Sequence, residues 1–192
     1  MTPLCLSLLE LDVTDEDLIR LAAREFDQQS LDTLINVAGI YSNWDDKPFT
    51  ELSPEDLVWH FKVNVVGPFL TSKYFLPALS RSKSGRIITC SSDMGSIADN
   101  IPGGNACYRI SKSGVNQLTK TMALDLKKVA PDVLTLAVHP GFVATRMTGY
   151  HGEDDMDECM NGFVSIVERF GQKGDDLENG SYVRWNGERM NY

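Results

Sequence analysis

Short apolar runs alternate along this chain with longer segments in which polar and apolar residues mix. The apolar runs lie at residues 4–11, 31–37, 86–91, 133–138 and 181–185. Short runs of this kind are typical of strands buried on both faces of a parallel sheet. The segments between them predict helices at about 14–28, 54–77, 108–128 and 157–171. Strands that alternate with helices predict an α/β fold, a doubly wound parallel sheet with helices on both faces.

Local signals refine the second predicted helix. Ser53 suits the N-cap position and Pro54 the first helical position, where its missing N–H costs no hydrogen bond. We expect a bend near Pro68, because proline disturbs the interior of a helix. His60 is expected on the surface of this helix, and His139 at the end of the fourth predicted strand.

Length and charge limit the classes of function. A chain of 192 residues is expected to form a single domain, residues 1–192. It carries 18 Lys plus Arg against 27 Asp plus Glu, a net charge of −9, which argues against nucleic acid as a partner. The acidic residues within 151–160 are predicted to form a solvated loop. They lack the ligand spacing and fixed glycine of a calcium loop, so no metal site is predicted.

Cysteine spacing and hydropathy bear on the cellular compartment. The four cysteines, at positions 5, 90, 107 and 159, show no paired spacing, which favours lone thiols in an intracellular protein. The apolar run near the N-terminus is too short to cross a bilayer, and no basic segment precedes it. We therefore expect a cytoplasmic protein that does not engage a membrane.

Tyr108 and Lys112 are the most informative pair of residues. They lie four positions apart and therefore share one face of a predicted helix. An ammonium group beside a phenol can lower the pKa of the phenol, which makes it a usable acid or base near neutral pH. The spacing alone is weak evidence, because a surface pair without function would look the same. The loop before this helix begins at Ser91 and Ser92, at the end of a strand, where ligands bind in open α/β sheets.

A hydrolase is the alternative that these residues allow. Ser92, Asp125 and His139 occur in the order Ser, Asp, His. The nucleophile elbow Gly-x-Ser-x-Gly is missing, since the residues around the serine read Cys-Ser-Ser-Asp-Met. Hydrolysis is therefore not favoured.

Six motifs in order extend the pattern beyond the Tyr-Lys pair. They are Asp12-Val13, Asn36-Val37-Ala38-Gly39, Asn64 in Lys-Val-Asn-Val-Val-Gly, Ser92, Tyr108 with Lys112, and Pro140-Gly141-Phe142-Val143-Ala144-Thr145. Together they resemble the short-chain dehydrogenase/reductase family, and the resemblance covers nearly the whole chain. The long interval between Ser92 and Tyr108 and the phrase Tyr-Arg-x-Ser-Lys are similar to its sniffer-type carbonyl reductase branch.

The resemblance implies an oxidoreductase that transfers hydride between a nicotinamide cofactor and a carbonyl or alcohol. Tyr108 would exchange a proton with the substrate oxygen, and Ser92 would hydrogen-bond that oxygen. Lys112 would lower the pKa of the tyrosine and contact the nicotinamide ribose, while Asn64 would hold a water of the proton relay. The implied cofactor contacts are Asp12, Val13, Asn36, Ala38, Gly39, Asn64, Tyr108, Lys112, Pro140, Gly141, Val143 and Thr145. The resemblance favours NADP(H) over NAD(H), a small-molecule substrate and a homodimer.

The glycine-rich turn that binds the pyrophosphate in this family has no counterpart here, because the first glycine of the chain is Gly39. We expect an N-terminally truncated Rossmann-like domain that lacks the first two strands and first helices, with impaired cofactor binding. The active enzyme would then extend upstream of Met1. A binding protein without redox activity and a non-functional fragment are the alternatives. The strand at 31–37 should become an open edge, and the strand at 4–11 should either move beside it or leave the chain marginally stable.

Overall fold

The computed structural model describes residues 8–42 and 47–192. Within these residues, four parallel strands form one sheet in the order β1-β2-β3-β4. The strands are β1 (Thr33–Asn36), β2 (Arg86–Cys90), β3 (Leu134–His139) and β4 (Tyr182–Arg184). Because all of them run in the same direction, their carboxyl ends meet at a single edge of the sheet.

Five α-helices connect and cover the strands of the described residues. They are α1 (Glu16–Arg24), α2 (Pro54–Phe61), α3 (Gly67–Ser80), α4 (Ala106–Val129) and α5 (Met156–Arg169). Two 3₁₀ turns (Phe49–Glu51 and Asp93–Gly95) and one π-helical turn (Lys62–Val66) complete the elements. The predicted α/β fold is confirmed.

Two hydrophobic cores lie on opposite faces of the sheet. One joins α1, α3 and α4 to the sheet through Phe75, Leu79, Ile87 and Leu126. The other packs α5 onto β2, β3 and β4; its fully buried residues are Ile88, Leu136, Val138, Ile166, Phe170 and Val183. Helices therefore cover both faces, as a doubly wound sheet requires.

The predicted helix over 54–77 is divided by the π-helical turn and extends to Ser80. Ser53 and Asp56 form a capping box at its start. Pro68 lies in the first turn of α3, where it is tolerated, and the bend expected near it stays a prediction. The irregularity precedes it, at Lys62–Val66, and π-helical turns of this kind are frequent at functional sites.

The prediction that His60 lies on the helix surface is wrong, since its side chain is completely buried. Its Nδ1 lies 2.8 Å from the backbone oxygen of Asp56, and its Nε2 lies 3.2 Å from the hydroxyl of Ser42. A carbonyl oxygen can only accept, so we assign the proton to Nδ1 and the acceptor role to Nε2. His60 thereby fastens α2 to the loop that follows β1. His139 ends β3, as predicted.

The predicted strand at 4–11 is wrong for residues 8–11, which pair with none of the four strands. Residues 4–7 lie outside the described residues. Leu8 is 98% exposed, and without a neighbouring strand its backbone gains no ladder of hydrogen bonds. No described strand pairs with the outer side of β1, and Ile35 and Val37 on and just after this strand are 38% and 67% exposed.

The acidic segment at 151–160 is more structured than the predicted loop. Asp155 caps α5 by accepting hydrogen bonds from the backbone N–H groups of Asp157 and Glu158. Asp154 accepts one from the N–H of Phe142 at 2.7 Å and so ties the segment to the end of β3. No cluster of three metal-ligating side chains, and no helix of sufficient length and hydropathy to cross a membrane, occurs among the residues that the structure describes.

Candidate active site

A glycine allows the loop after β2 to approach α4 closely. A Cβ on Gly95 would lie 3.0 Å from both the backbone oxygen of Lys112 and the Nδ2 atom of Asn116. A side chain there would therefore push the loop away from the helix. The close approach brings Ser92, at the start of this loop, to Tyr108 in the first turn of α4.

Tyr108 is 8% exposed, and its side chain lies beside that of Ser92. Burial raises the pKa of Tyr108 to about 12, and Ser92 partly opposes this rise. The Ser92 hydroxyl also lies 2.9 Å from Oδ1 of Asp93, to which it donates, and accepts from the N–H of Met94. At neutral pH the phenol is therefore protonated and is a proton donor.

Lys112 lies on the same helix face and is 4% exposed. Its Nζ donates to the backbone oxygen of Cys90 at 2.9 Å and lies 5.6 Å from the centre of the Tyr108 ring. Burial lowers the pKa of Lys112 to about 8. The net pKa shift of Tyr108 is upward rather than downward in this structure, because burial disfavours the charged phenolate and is the largest cause of the shift. The expected lowering contribution of the ammonium stays a prediction.

Asn64, in the π-helical turn, joins the loop after β1 to α4. Its Nδ2 donates to the backbone oxygen of Ile40 at 3.0 Å and to the hydroxyl of Ser111 at 2.9 Å, and its Oδ1 accepts from the N–H of Ile40 at 2.7 Å. The Ser111 hydroxyl in turn donates to the backbone oxygen of Tyr108. All these partners lie outside its own helix, so Asn64 joins separate segments of the chain.

The loop after β1 reaches the same place. A Cβ on Gly39 would lie 3.3 Å from Oδ1 of Asn64 and 3.5 Å from Nζ of Lys112, so the glycine leaves space between these two polar groups. Ala38 beside it is exposed. Asn36 instead serves the scaffold, since its buried amide accepts from the hydroxyl of Thr71 at 2.6 Å.

Pro140-Gly141-Phe142-Val143-Ala144-Thr145 follows β3 at the same edge of the sheet. Gly141 has a φ of 100°, and a Cβ there would lie 2.4 Å from Sγ of Cys159. Val143 is buried, and the N–H of Thr145 donates to the hydroxyl of Thr148. Most of this segment is therefore held against α5 and the loop before it.

Asp12 and Val13 are placed apart from the Tyr-Lys cluster. The exposed carboxylate of Asp12 accepts hydrogen bonds from Thr14, which hold its pKa below the usual range. Val13 packs against Gly67, where a Cβ would come within 3.0 Å of it. No hydrogen bond among the described residues joins either one to Ser92, Tyr108 or Lys112.

Three residues that are not part of the sequence motifs also contact the site. The ring of Tyr41 packs edge-on against that of Tyr108, with centres 5.0 Å apart. Asn116 contacts the loop after β2, and Tyr182 donates to the backbone oxygen of Ser92. Only Asn116 had a signal in the sequence, because it continues the four-residue spacing of Tyr108 and Lys112. Tyr41 and Tyr182 are distant in sequence and had none.

The arrangement excludes a Ser-His-Asp relay through the residues weighed above. Asp125 lies on the exposed face of α4. Neither ring nitrogen of the buried His139 has a hydrogen-bond partner within the described part of the chain, and the Ser92 hydroxyl donates to Asp93. A hydrolytic relay requires a hydrogen bond from the serine to the histidine and another from the histidine to the aspartate, and neither is present among these residues.

Comparison with known proteins agrees with this geometry. The sequence profile of the family "short chain dehydrogenase" matches residues 5–156. The C-signal protein of Myxococcus xanthus is 30% identical over 138 residues, which cover 72% of this chain and 81% of that protein.

Among solved structures, the NADPH-bound carbonyl reductase from chicken fatty liver superposes with a TM-score of 0.85 at 27% identity. The alignment covers 97% of this chain and 77% of that one. Carbonyl reductase Sniffer of D. melanogaster gives a TM-score of 0.86, also at 27% identity, over 96% of this chain and 77% of that one. On the family match and the buried cluster of Asn64, Ser92, Tyr108 and Lys112, this chain belongs to the short-chain dehydrogenase family.

Proposed function

We propose that this protein reduces a carbonyl compound to an alcohol with NADP(H), using Tyr108 as the proton donor. The observation that carries the proposal is the buried cluster of Ser92, Tyr108 and Lys112, in which Nζ of the lysine lies 5.6 Å from the centre of the Tyr108 ring. The NADPH-bound carbonyl reductase and Sniffer, both similar over nearly the whole chain, support the reaction class and the cofactor.

The state of Tyr108 favours reduction over oxidation near neutral pH. With a pKa of about 12, the phenol holds its proton and can give it to the oxygen of a substrate carbonyl as that oxygen gains charge. Ser92, beside this phenol, would hold the same oxygen. Alcohol oxidation needs the phenolate and should require alkaline conditions.

The described residues fit the nicotinamide end of the cofactor. Gly39, without a Cβ, leaves the Nζ of Lys112 and the Oδ1 of Asn64 uncovered on its side, and these two groups could hydrogen-bond ribose hydroxyls. Val143 and Thr145, with Pro140 and Gly141, would border the nicotinamide ring. The bound cofactor would supply the hydride. At the other end, Asp12 and Val13 would lie toward the adenine.

The residues present fit the pyrophosphate of the cofactor less well than its nicotinamide. A glycine-rich turn would bind the pyrophosphate, and no glycine precedes Gly39 in these 192 residues. Binding weakened at that end is therefore part of the proposal. A chain that binds a small molecule at this edge without turnover is the second candidate, and the same observation favours it.

Titration of NADPH into the purified chain separates the two candidates. Energy transfer from Trp44, Trp59 and Trp185 to the reduced nicotinamide reports binding, and thermal unfolding in parallel reports whether bound cofactor stabilises the fold. Micromolar, saturable binding with a raised Tm, followed by turnover of ketones that Tyr108→Phe abolishes, would support the reductase. A folded sample that neither binds nor turns over would overturn it for this chain.

The control for this titration is Tyr150→Phe. Tyr150 is 74% exposed in the segment before α5, so removing its hydroxyl should change neither binding nor turnover. Loss of turnover in both variants would show that the assay reports general damage rather than the proton donor.

A further inference from the structure

The loop that carries Ser92 is held from two sides by residues outside the family motifs. Ser91 to Gly95 leaves the sheet after β2 and turns through the 3₁₀ turn at Asp93–Gly95. The N–H of Ser91 still donates to the backbone oxygen of Val138 in β3, at 2.7 Å, but the 3₁₀ turn itself pairs with no strand among the described residues. The position of the Ser92 hydroxyl therefore also depends on the side chains that bond to the loop.

The first hold comes from β4. The hydroxyl of Tyr182 donates to the backbone oxygen of Ser92 at 2.5 Å, across 90 residues of sequence. The same oxygen accepts from the N–H of Gly95 at 2.8 Å, so both of its acceptor positions are used. Tyr182 is 1% exposed, and burial raises its pKa far above the usual range, which keeps the hydroxyl protonated as a donor.

The second hold comes from α4. Asn116, 2% exposed and one turn beyond Lys112, accepts from the Ser91 hydroxyl at 2.6 Å. Its Nδ2 donates to the backbone oxygen of Gly95 at 3.1 Å. Asn116 therefore bonds to Ser91 and Gly95 at the two ends of the loop, while Tyr182 bonds to Ser92 between them. Both act on the backbone or on Ser91, so neither uses the Ser92 hydroxyl.

We propose that Tyr182 is a positioning residue for carbonyl reduction, which together with Asn116 fixes the Ser92 hydroxyl relative to Tyr108. The inference rests on the proposed reductase function. Catalysis depends steeply on the placement of such groups, and misplacement by about 1 Å can cost on the order of a hundredfold in rate. A packing residue would need only the ring of Tyr182. A positioning residue needs its hydroxyl.

Tyr182→Phe removes the hydroxyl and keeps the ring, and Tyr192→Phe is its matched control. The Tyr192 phenol also donates to a backbone oxygen, that of Gly180 at 2.6 Å, and its ring lies 5.9 Å from that of Tyr182. Both variants lose one bond of the same kind in the same region. Only the first bond reaches the loop that carries Ser92.

With NADPH and acetophenone as probes, Tyr182→Phe should lower kcat about tenfold and leave the KM for NADPH unchanged, a loss comparable to one hydrogen bond. Tyr192→Phe should leave both constants unchanged at a similar Tm. The double variant Tyr182→Phe/Asn116→Ala should lose less kcat than the product of the two single fold-losses, because both residues hold the same loop. Equal kcat for Tyr182→Phe and Tyr192→Phe would overturn the proposal.

Amide hydrogen exchange keeps the inference separate from the reductase proposal. The N–H of Gly95 closes the loop by donating to the backbone oxygen of Ser92, the atom that Tyr182 anchors to β4. Without that anchor the loop should open more often, so this N–H should exchange faster in Tyr182→Phe than in Tyr192→Phe, with or without turnover. An inactive wild type with this difference refutes the reductase and supports the hold on the loop. Unchanged exchange at residues 92–96 refutes the hold, whatever the activity.

Discussion

Proteins usually bury apolar side chains and expose polar ones, and two regions of this molecule do the reverse. The carboxyl edge of the sheet buries polar side chains, whereas β1 exposes apolar ones. At the carboxyl edge, Asn64, Ser111, Lys112 and Asn116 are polar and at least 96% buried. Along β1 and just after it, Ile35 and Val37 are apolar and exposed. Buried polar groups cost stability unless they are hydrogen-bonded, and exposed apolar strand residues invite association.

The difference teaches where this molecule concentrates its specific contacts. Each buried polar side chain named at the carboxyl edge has identified partners, and these partners come from loops and strands far apart in sequence. The outer side of β1 has no such partners among the described residues. The first region is therefore held in place by specific hydrogen bonds, whereas the second presents apolar side chains on and after a strand that lies at the edge of the described sheet.

The largest effect expected is on activity, at the buried lysine. Lys112→Met should lower kcat by about 10²–10³-fold, because it removes a positive charge from beside the reacting groups. The Tm should stay the same or rise, since burial of this ammonium is unfavourable, as its lowered pKa shows. Steady-state kinetics and thermal unfolding check both statements.

Lys120→Met is the control, because Lys120 is exposed on the same helix. It should leave kcat unchanged. A fall in Tm specific to Lys112→Met would mean that the buried lysine stabilises the fold. The idea that its burial costs stability and serves activity would then be contradicted.

The second effect is on stability and compares two isoleucines directly opposite each other in the sheet. Ile88 in β2 is fully buried under α5, whereas Ile35 in β1 is 38% exposed. Ile88→Ala should cost about 2–5 kcal/mol in the free energy of unfolding. Ile35→Ala should cost no more than about 1 kcal/mol, because less surface returns to water.

Urea unfolding of the two variants measures this difference. Equal losses would show that β1 is covered in solution on the face where Ile35 lies, by residues outside the described ranges or by a second copy.

The third effect is a pH dependence. The Lys112 ammonium, with a pKa of about 8, is charged below that pH and neutral above it, while Tyr108 stays protonated up to about pH 12. We expect kcat/KM for reduction to fall toward tenfold per pH unit above about pH 8. A profile that stays flat to pH 10 would contradict the role of the charged lysine.

The smallest effect expected on stability concerns the open edge itself. Val37→Lys should change the free energy of unfolding by no more than about 0.5 kcal/mol, because Val37 is exposed. It should reduce concentration-dependent association, since a charge at a strand edge opposes pairing with another chain. Sedimentation velocity measures this association.

The control is Val129→Lys, at the similarly exposed end of α4, which should not alter association. Equal reductions of association in both variants would point to a general effect of added charge.

Local patterns predicted much of the fold. The strands β2 and β3 and the helix α4 each lie within two residues of the predicted bounds, because apolar runs and helix-forming segments are local properties of the chain. The strand predicted at 8–11 is absent because a strand depends on more than local sequence. Its apolar composition is that of a strand, but a strand also needs a neighbour, and no local pattern reports one.

By itself the sequence determined the order of the elements, the family and the identity of Tyr108 and Lys112, because these depend on residue type and spacing along one chain. The tertiary structure decided the rest. It set the direction of both pKa shifts, since burial outweighs the attraction that spacing suggested. It also buried His60 and brought Tyr182 to Ser92 across 90 residues, contacts that arise only when distant segments pack together.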